Sequence, residues 1–293
     1  MNSGHSRFID VNGTSLHYLE WGEEANPPLI LLHGGSAHAH WWDHIAPSLA
    51  RTFRVLAFDL RGHGDSSWIT PPAYEIQDYV ADLEAVIATL QLDSPSLLGH
   101  SLGGFIALSY ATAHAPTLGA LIIVDIGPQL RQSRYMRLLR TLPPPIYQDE
   151  MDLHNRFRLL PADTQATADL LRHIAHHSVQ PGEDGNLHLK GDRAAMIRQP
   201  CDLTPLLPTI VCPTFFLRGQ NSKNLSQEKL GQIVQVCPQA HGVEIPGAGH
   251  HIFLDQPFVF LDIVTNFLHE KEIVTTADAQ RGQGAGQKKR YKN

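Results

Sequence analysis

Ser101 is the residue most clearly set up for chemistry. It stands in Gly99-His100-Ser101-Leu102-Gly103, a G-x-S-x-G pattern. The apolar run before it (94–101) reads as a buried strand, and the small-residue run after it (103–115) as a helix. In that setting a serine sits on a sharp strand-to-helix turn with its hydroxyl raised above a sheet. Side chains at the flanking glycines would strike the neighbouring strand and helix. A serine hydroxyl is a weak nucleophile until a base takes its proton. The candidate base is His250, which closes Pro246-Gly247-Ala248-Gly249-His250 after the last predicted strand; His251 fits better as the start of the next element. Acyl transfer also needs two N–H groups aimed at the developing oxyanion. Leu102 offers one. The turn His33-Gly34-Gly35-Ser36 offers the other, with Gly35 preferred and Ser36 as the alternative.

These groups can meet only if the chain brings several strand ends to one edge. Strand-like runs at 7–12 and 15–22 flank the turn signal Asn12-Gly13. Further strands are expected at 28–35, 54–60, 94–101 and 118–127. Between 74 and 90, Ile76, Tyr79, Val80, Leu83, Val86, Ile87 and Leu90 recur at helical spacing. Continuous apolar strands alternating with helices predict an α/β fold whose mostly parallel sheet is covered on both faces. The alternation stops at 128–207, a polar, helical-looking stretch with Pro143-Pro144-Pro145, and resumes with strands at 209–219 and 241–249 and helices near 226–236 and 256–271. The expected organisation is a core of 1–127 and 208–273, a helical cap inserted at 128–207, and a disordered basic tail at 274–293. In a parallel sheet the C-terminal strand ends share one edge, where His250 and Ser101 can meet.

Composition narrows the class. Apolar residues make up 42% and charged residues 18%, enough to build a core without disulfides or metals. The formal net charge of −6 argues against nucleic acid as a partner. Arg281, Lys288, Lys289, Arg290 and Lys292 gather at the C-terminus, too few to anchor a membrane alone, and read as a solubilising end. The opening residues lack a signal-type apolar core, and the run 118–124 is too short to span a bilayer. Cys201, Cys212 and Cys237 form no CxxC pair and read as reduced thiols. The expectation is a cytoplasmic protein whose oligomeric state the sequence leaves open.

The chain resembles the α/β-hydrolase family. His33-Gly34-Gly35, the run Asp59-Leu60-Arg61-Gly62-His63-Gly64-Asp65-Ser66, the elbow Gly99–Gly103 and the turn Gly249-His250 stand in that family's order, over roughly 7–272. The resemblance implies an ester, thioester, lactone or related bond cleaved through an acyl-enzyme. It also implies a triad acid just after the strand that follows the cap. Here that segment reads Leu217-Arg218-Gly219-Gln220-Asn221-Ser222-Lys223-Asn224, with no carboxylate. Asn221 or Ser222 could orient an imidazole but not stabilise an imidazolium. Asp125, at the end of the strand after the nucleophile helix, is the expected substitute, and some members of the family place their acid there. Its other reading is a cap on the loop toward Pro128. Asp255 and Glu228 are alternatives: the first more naturally anchors the last helix, and the second lies inside a helix.

Other residues carry plainer readings. Trp41 and Trp42 pack the following helix or wall the substrate pocket. His33, His38, His40 and His44, and separately His173, His176 and His177, are dense in imidazole. No carboxylate or cysteine completes either set at ligand spacing, so no metal is expected. Arg61 and His63 read as fold determinants, and His100 as packing beneath the site.

The expected function is hydrolysis of a small or medium hydrophobic carboxylic ester by Ser101, His250 and Asp125, without a cofactor. Apolar residues of the early insert, among them Met136, Leu138, Leu139, Leu142, Ile146 and Tyr147, would face the substrate. Carbon–carbon bond hydrolysis of a vinylogous diketone and lactone hydrolysis use the same groups. Arg131, Arg134, Arg137 and Arg140 would favour the first by holding an acidic substrate. A binding protein with a decayed triad is the reading from another class.

Overall fold

The computed structural model describes residues 4–131, 142–196 and 199–270. The basic tail and the early insert residues Arg134, Met136, Arg137, Leu138, Leu139 and Arg140 lie outside them.

The strands in chain order are β1 (His5–Val11), β2 (Thr14–Trp21), β3 (Pro28–Leu32), β4 (Arg54–Phe58), β5 (Ser96–His100), β6 (Leu121–Val124), β7 (Gln129–Leu130), β8 (Ile146–Tyr147), β9 (Val179–Pro181), β10 (Leu187–Leu189), β11 (Cys201–Asp202), β12 (Thr214–Gly219) and β13 (Ala240–Ile245). Eight of them form the main sheet, in the order β1-β2-β4-β3-β5-β6-β12-β13. The β1–β2 and β2–β4 pairs are antiparallel and the others parallel. The hairpin turns on Asn12 (φ 50°) and Gly13 (φ 71°), the two left-handed positions that such a turn requires.

The helices in chain order are α1 (Ala46–Leu49), α2 (Ile76–Thr89), α3 (Leu102–His114), α4 (Glu150–Arg156), α5 (Ala168–His177), α6 (Gln227–Val236), α7 (Ile252–Asp255) and α8 (257–270). The central strands are apolar on both sides because helices cover both faces. In β3, Ile30 and Leu32 pack into one cluster while Leu29 and Leu31 pack into the opposite one. The first face is closed by α2, α3 and α6, and the second by α1, α7 and α8. The helix α3 is apolar nearly all round and is correspondingly buried.

The segment 128–207 differs from the expected helical cap. It contains α4 and α5, but also the five short strands β7 to β11. Three of them, in the order β8-β10-β9, form a small antiparallel sheet over Tyr147, Leu153, Ala175 and Val179. The other two, β7 and β11, pair where the insert leaves and rejoins the core. Strands of two or three residues are too short to show an alternating pattern, which is why the sequence reads as helix and loop. No helix among the described residues is long and apolar enough to cross a membrane.

The register of the parallel strands aligns their C-terminal ends. His100 pairs with Val124, Val124 with Leu217, and Gly219 with Ile245. The residues just past β5, β6, β12 and β13 therefore share one edge.

Candidate active site

Ser101 is the first residue past β5 and the N-cap of α3, with φ 51° and ψ −113°. Positive φ is uncommon for a residue with a side chain, and here neighbouring contacts hold it. Its N–H donates to the Val124 carbonyl at 3.0 Å, and its carbonyl accepts from Phe105 N–H at 2.9 Å. The elbow glycines allow the strand and helix to touch. A Cβ on Gly99 would lie 2.3 Å from the Gly103 carbonyl oxygen, and one on Gly103 would lie 2.3 Å from that of Leu32.

Asp125 is the first residue past β6 and also has positive φ, 53°. It is fully buried. Its Oδ2 lies 2.7 Å from His250 Nδ1. The Ser222 hydroxyl donates to the same oxygen, and Gly219 N–H donates to Oδ1 at 3.2 Å. A buried carboxylate so supplied with donors is held in place and fixes the imidazole's orientation. With the Nδ1 proton directed at Asp125, His250 Nε2 carries the lone pair that a general base needs. The segment after β12, which lacks a carboxylate, instead supplies donors to one contributed by β6.

Asn224 also belongs to this group, a place that its sequence context does not reveal. Its Nδ2 lies 2.7 Å from His250 Nδ1. With the ring proton on Nδ1, a half-turn of the amide presents Oδ1 as a second acceptor. The only sequence signal is its position in the acid-free loop. Asn221, weighed beside Ser222, is exposed, and its backbone N–H donates to the Ala248 carbonyl at 2.9 Å.

The alternative acids serve other ends. Asp255 Oδ2 accepts from Gly249 N–H at 2.7 Å, while Oδ1 accepts from the Thr164 hydroxyl at 2.6 Å and Gln165 N–H at 2.7 Å. It thus ties the His250 turn to the insert. Glu228 is exposed on α6.

His100 lies under the site. Its Nε2–H donates to the His250 carbonyl at 3.0 Å, and burial holds its pKa well below the usual imidazole value, so it stays neutral. His251 is the N-cap residue of α7 and donates from Nε2 to the Pro161 carbonyl at 3.1 Å. Burial pushes its pKa down to about 4.

The turn after β3, His33-Gly34-Gly35-Ser36, rests against the elbow through Gly103 N–H, which donates to the His33 carbonyl at 3.0 Å. A Cβ on Gly34 would lie 2.9 Å from His100 Nδ1 and 3.3 Å from Ser101 Cβ, so Gly34 permits the close approach. Gly35 faces open space: nothing lies within 4 Å of a Cβ built there. Leu102 opens α3, whose first N–H groups have no partner within the helix. Ser36 is exposed with φ 61°.

The tryptophans differ from the pocket-lining expectation. Trp42 is fully buried and stacks on Phe253 with 4.3 Å between ring centroids. Trp41 is buried edge-on to His251. Both belong to the cluster on the second face of the sheet, the packing place that is the other reading of this pair. Arg61 makes a two-pronged contact with Asp82, at 2.6 and 2.5 Å, and supports the fold as expected.

The fold and this edge of polar groups together define an α/β protein built for hydrolysis. The sequence profile of the alpha/beta hydrolase family matches residues 29–263, and the chain belongs to that family. It is 27% identical to a 2-(acetamidomethylene)succinate hydrolase of Mesorhizobium japonicum over 90% of this chain and 95% of that one. It is also 27% identical to the esterase Rv0045c of Mycobacterium tuberculosis, over 88% of each chain. The crystal structure of an E-2-(acetamidomethylene)succinate hydrolase superposes with a TM-score of 0.80 at 26% identity, covering 90% of this chain and 99% of that one.

Proposed function

We propose that this chain is a serine esterase that cleaves a small or medium hydrophobic carboxylic ester through an acyl-enzyme. The reading is carried by one observation: Asp125 holds the His250 ring at the sheet edge where the strained elbow presents Ser101. His250 Nε2 takes the Ser101 proton as the hydroxyl oxygen attacks the acyl carbon. The Leu102 and Gly35 N–H groups stabilise the tetrahedral oxyanion. His250 then returns the proton to the departing alcohol. Water, activated by the same ring, repeats the sequence and releases the acid.

Ester as the bond is supported by the relative named an esterase. The carbon–carbon reading is supported by a relative named a 2-hydroxy-6-oxo-6-(2'-aminophenyl)hexa-2,4-dienoic acid hydrolase, 26% identical over 93% of this chain; of the arginines that would hold its acidic substrate, Arg131 lies exposed and donates to Gln129 Oε1 at 3.4 Å. The test is hydrolysis of p-nitrophenyl esters of increasing acyl length by wild type and Ser101→Ala. Turnover lost in the variant supports the reading, and the optimum length sizes the pocket. Folded wild type that turns over none of them overturns it.

A further inference from the structure

Two histidine-rich segments, each incomplete as a ligand set when read alone, meet in the fold. The segment after the oxyanion turn brings His40 and Asp43. The insert helix α5 brings His173 and His177, one turn apart on one face. One ligand atom from each of the four lies within 4.8 Å of every other. We propose that His40, Asp43, His173 and His177 bind a divalent transition-metal ion of the zinc type, which clamps the insert to the core.

Asp43 is the centre of the group. Its side chain has no solvent exposure, and its Oδ2 accepts from His40 Nδ1 and His173 Nε2, each at 2.8 Å. Its Oδ1 is buried with no hydrogen-bond partner among the described residues. A buried carboxylate oxygen left without a donor is uncommon in a folded protein and suits a cation. His40 and His177 stack at 3.6 Å between centroids, and His173 stands edge-on to both. The third histidine of the helix, His176, faces away, with its Nδ1 2.9 Å from Glu150 Oε1.

Three imidazoles and one carboxylate form a nitrogen-rich set that suits zinc, cobalt, nickel or copper and not magnesium or calcium. Tetrahedral coordination at roughly 2.1 Å requires ligand atoms about 3.4 Å apart. Reaching that spacing from the present one would take side-chain rotation that brings His177 out of its stack on His40. His40 and His173 turn N–H groups toward Asp43. Moving each proton to the other ring nitrogen presents a lone pair to the ion with no change in charge.

The ligands come from both the core and the insert, so binding should stiffen that junction independently of the chemistry at Ser101. The experiment is equilibrium dialysis with Zn²⁺ on the full chain, followed by thermal melts and by Co²⁺ visible spectroscopy. Wild type should bind one ion per chain, melt higher with added Zn²⁺, and give the intense bands of four-coordinate Co²⁺. The double variant His173→Gln/His177→Gln should weaken zinc affinity at least about 100-fold and lose the melting shift. His250→Gln should retain both, which separates this site from the neighbouring His100, His250 and His251 group. Because a variant that fails to fold would be silent, the Co²⁺ spectrum of wild type stands as a separate criterion. Absence of those bands overturns the proposal, as does zinc binding that survives the double variant or vanishes with His250→Gln.

Discussion

Asp125 Oδ2 and His250 Nδ1 lie 2.7 Å apart although 125 positions separate them in the chain. The contact exists because β6 and β13 both end at the same edge, on either side of β12. The loop after β12 contributes no carboxylate. The last residue of β12 contributes the Gly219 N–H and the loop the Ser222 hydroxyl, which hold Asp125 in place. The carboxylate beside His250 thus comes from the strand next to β12, and the end of β12 and its following loop support it.

Asp125→Asn should reduce ester turnover by about 10⁴ while the protein stays folded, since the imidazole then loses both its tautomer and its counter-charge. Ser222→Ala removes one donor to a carboxylate that keeps others, and should cost no more than about tenfold. Steady-state kinetics on purified variants decide this. Equal, small losses from both would place the acid elsewhere.

Two glycines should respond in opposite ways to alanine. Gly103→Ala sets a Cβ 2.3 Å from the Leu32 carbonyl oxygen, where backbone lies on both sides and cannot yield. Soluble folded protein should be lost. Gly35→Ala meets nothing within 4 Å and should melt within a few degrees of wild type. Thermal melts of the two variants give the comparison, and a well-folded Gly103→Ala would contradict the packing at the elbow.

The buried histidines set an acid limit to stability. The pKa of His251 is about 4 when folded and about 6.5 when unfolded. As pH falls from about 6.5 toward about 4, the unfolded chain takes the proton first, so stability declines across that window. His38 and His100, also held neutral by burial, act in the same direction. Melting temperatures should fall as the pH is lowered through that window, and His251→Gln should flatten the slope. A midpoint that rises on acidification would contradict this.

Arg61 and Asp82 form a buried ion pair, each about 7% exposed. Asp82→Asn removes the close counter-charge, leaving Asp78 at 4.0 Å as the remaining carboxylate, and should cost about 3–5 kcal/mol of stability. The KM of whatever fraction remains folded should not change. Urea unfolding together with kinetics separates the two effects.

Much of this architecture is legible in the sequence because it rests on local pattern. The Asn12-Gly13 hairpin, the apolar parallel strands, the amphipathic helix at 76–89 and the elbow around Ser101 each carry a short-range signal. Asp125 is legible as a carboxylate ending a strand, but its contact with His250 depends on strand order, which spacing does not encode. Asn224 is invisible for the same reason. The insert's two- and three-residue strands carry no periodicity. Trp42 is no pocket wall, because an aromatic beside a catalytic loop reads alike whether it packs below the sheet or above it. The three histidines around Asp43 are likewise readable singly and not together, because 130 residues separate His173 from its carboxylate partner.

The most direct test of the account is covalent labelling of Ser101. A fluorophosphonate should add once to the wild-type chain, with the adduct mapped by mass spectrometry to Ser101. Labelling should slow sharply in Asp125→Asn and disappear in Ser101→Ala. Folded wild type that takes no label, or a Ser101→Ala chain that labels as fast as wild type, would contradict the assignment of Ser101 as nucleophile.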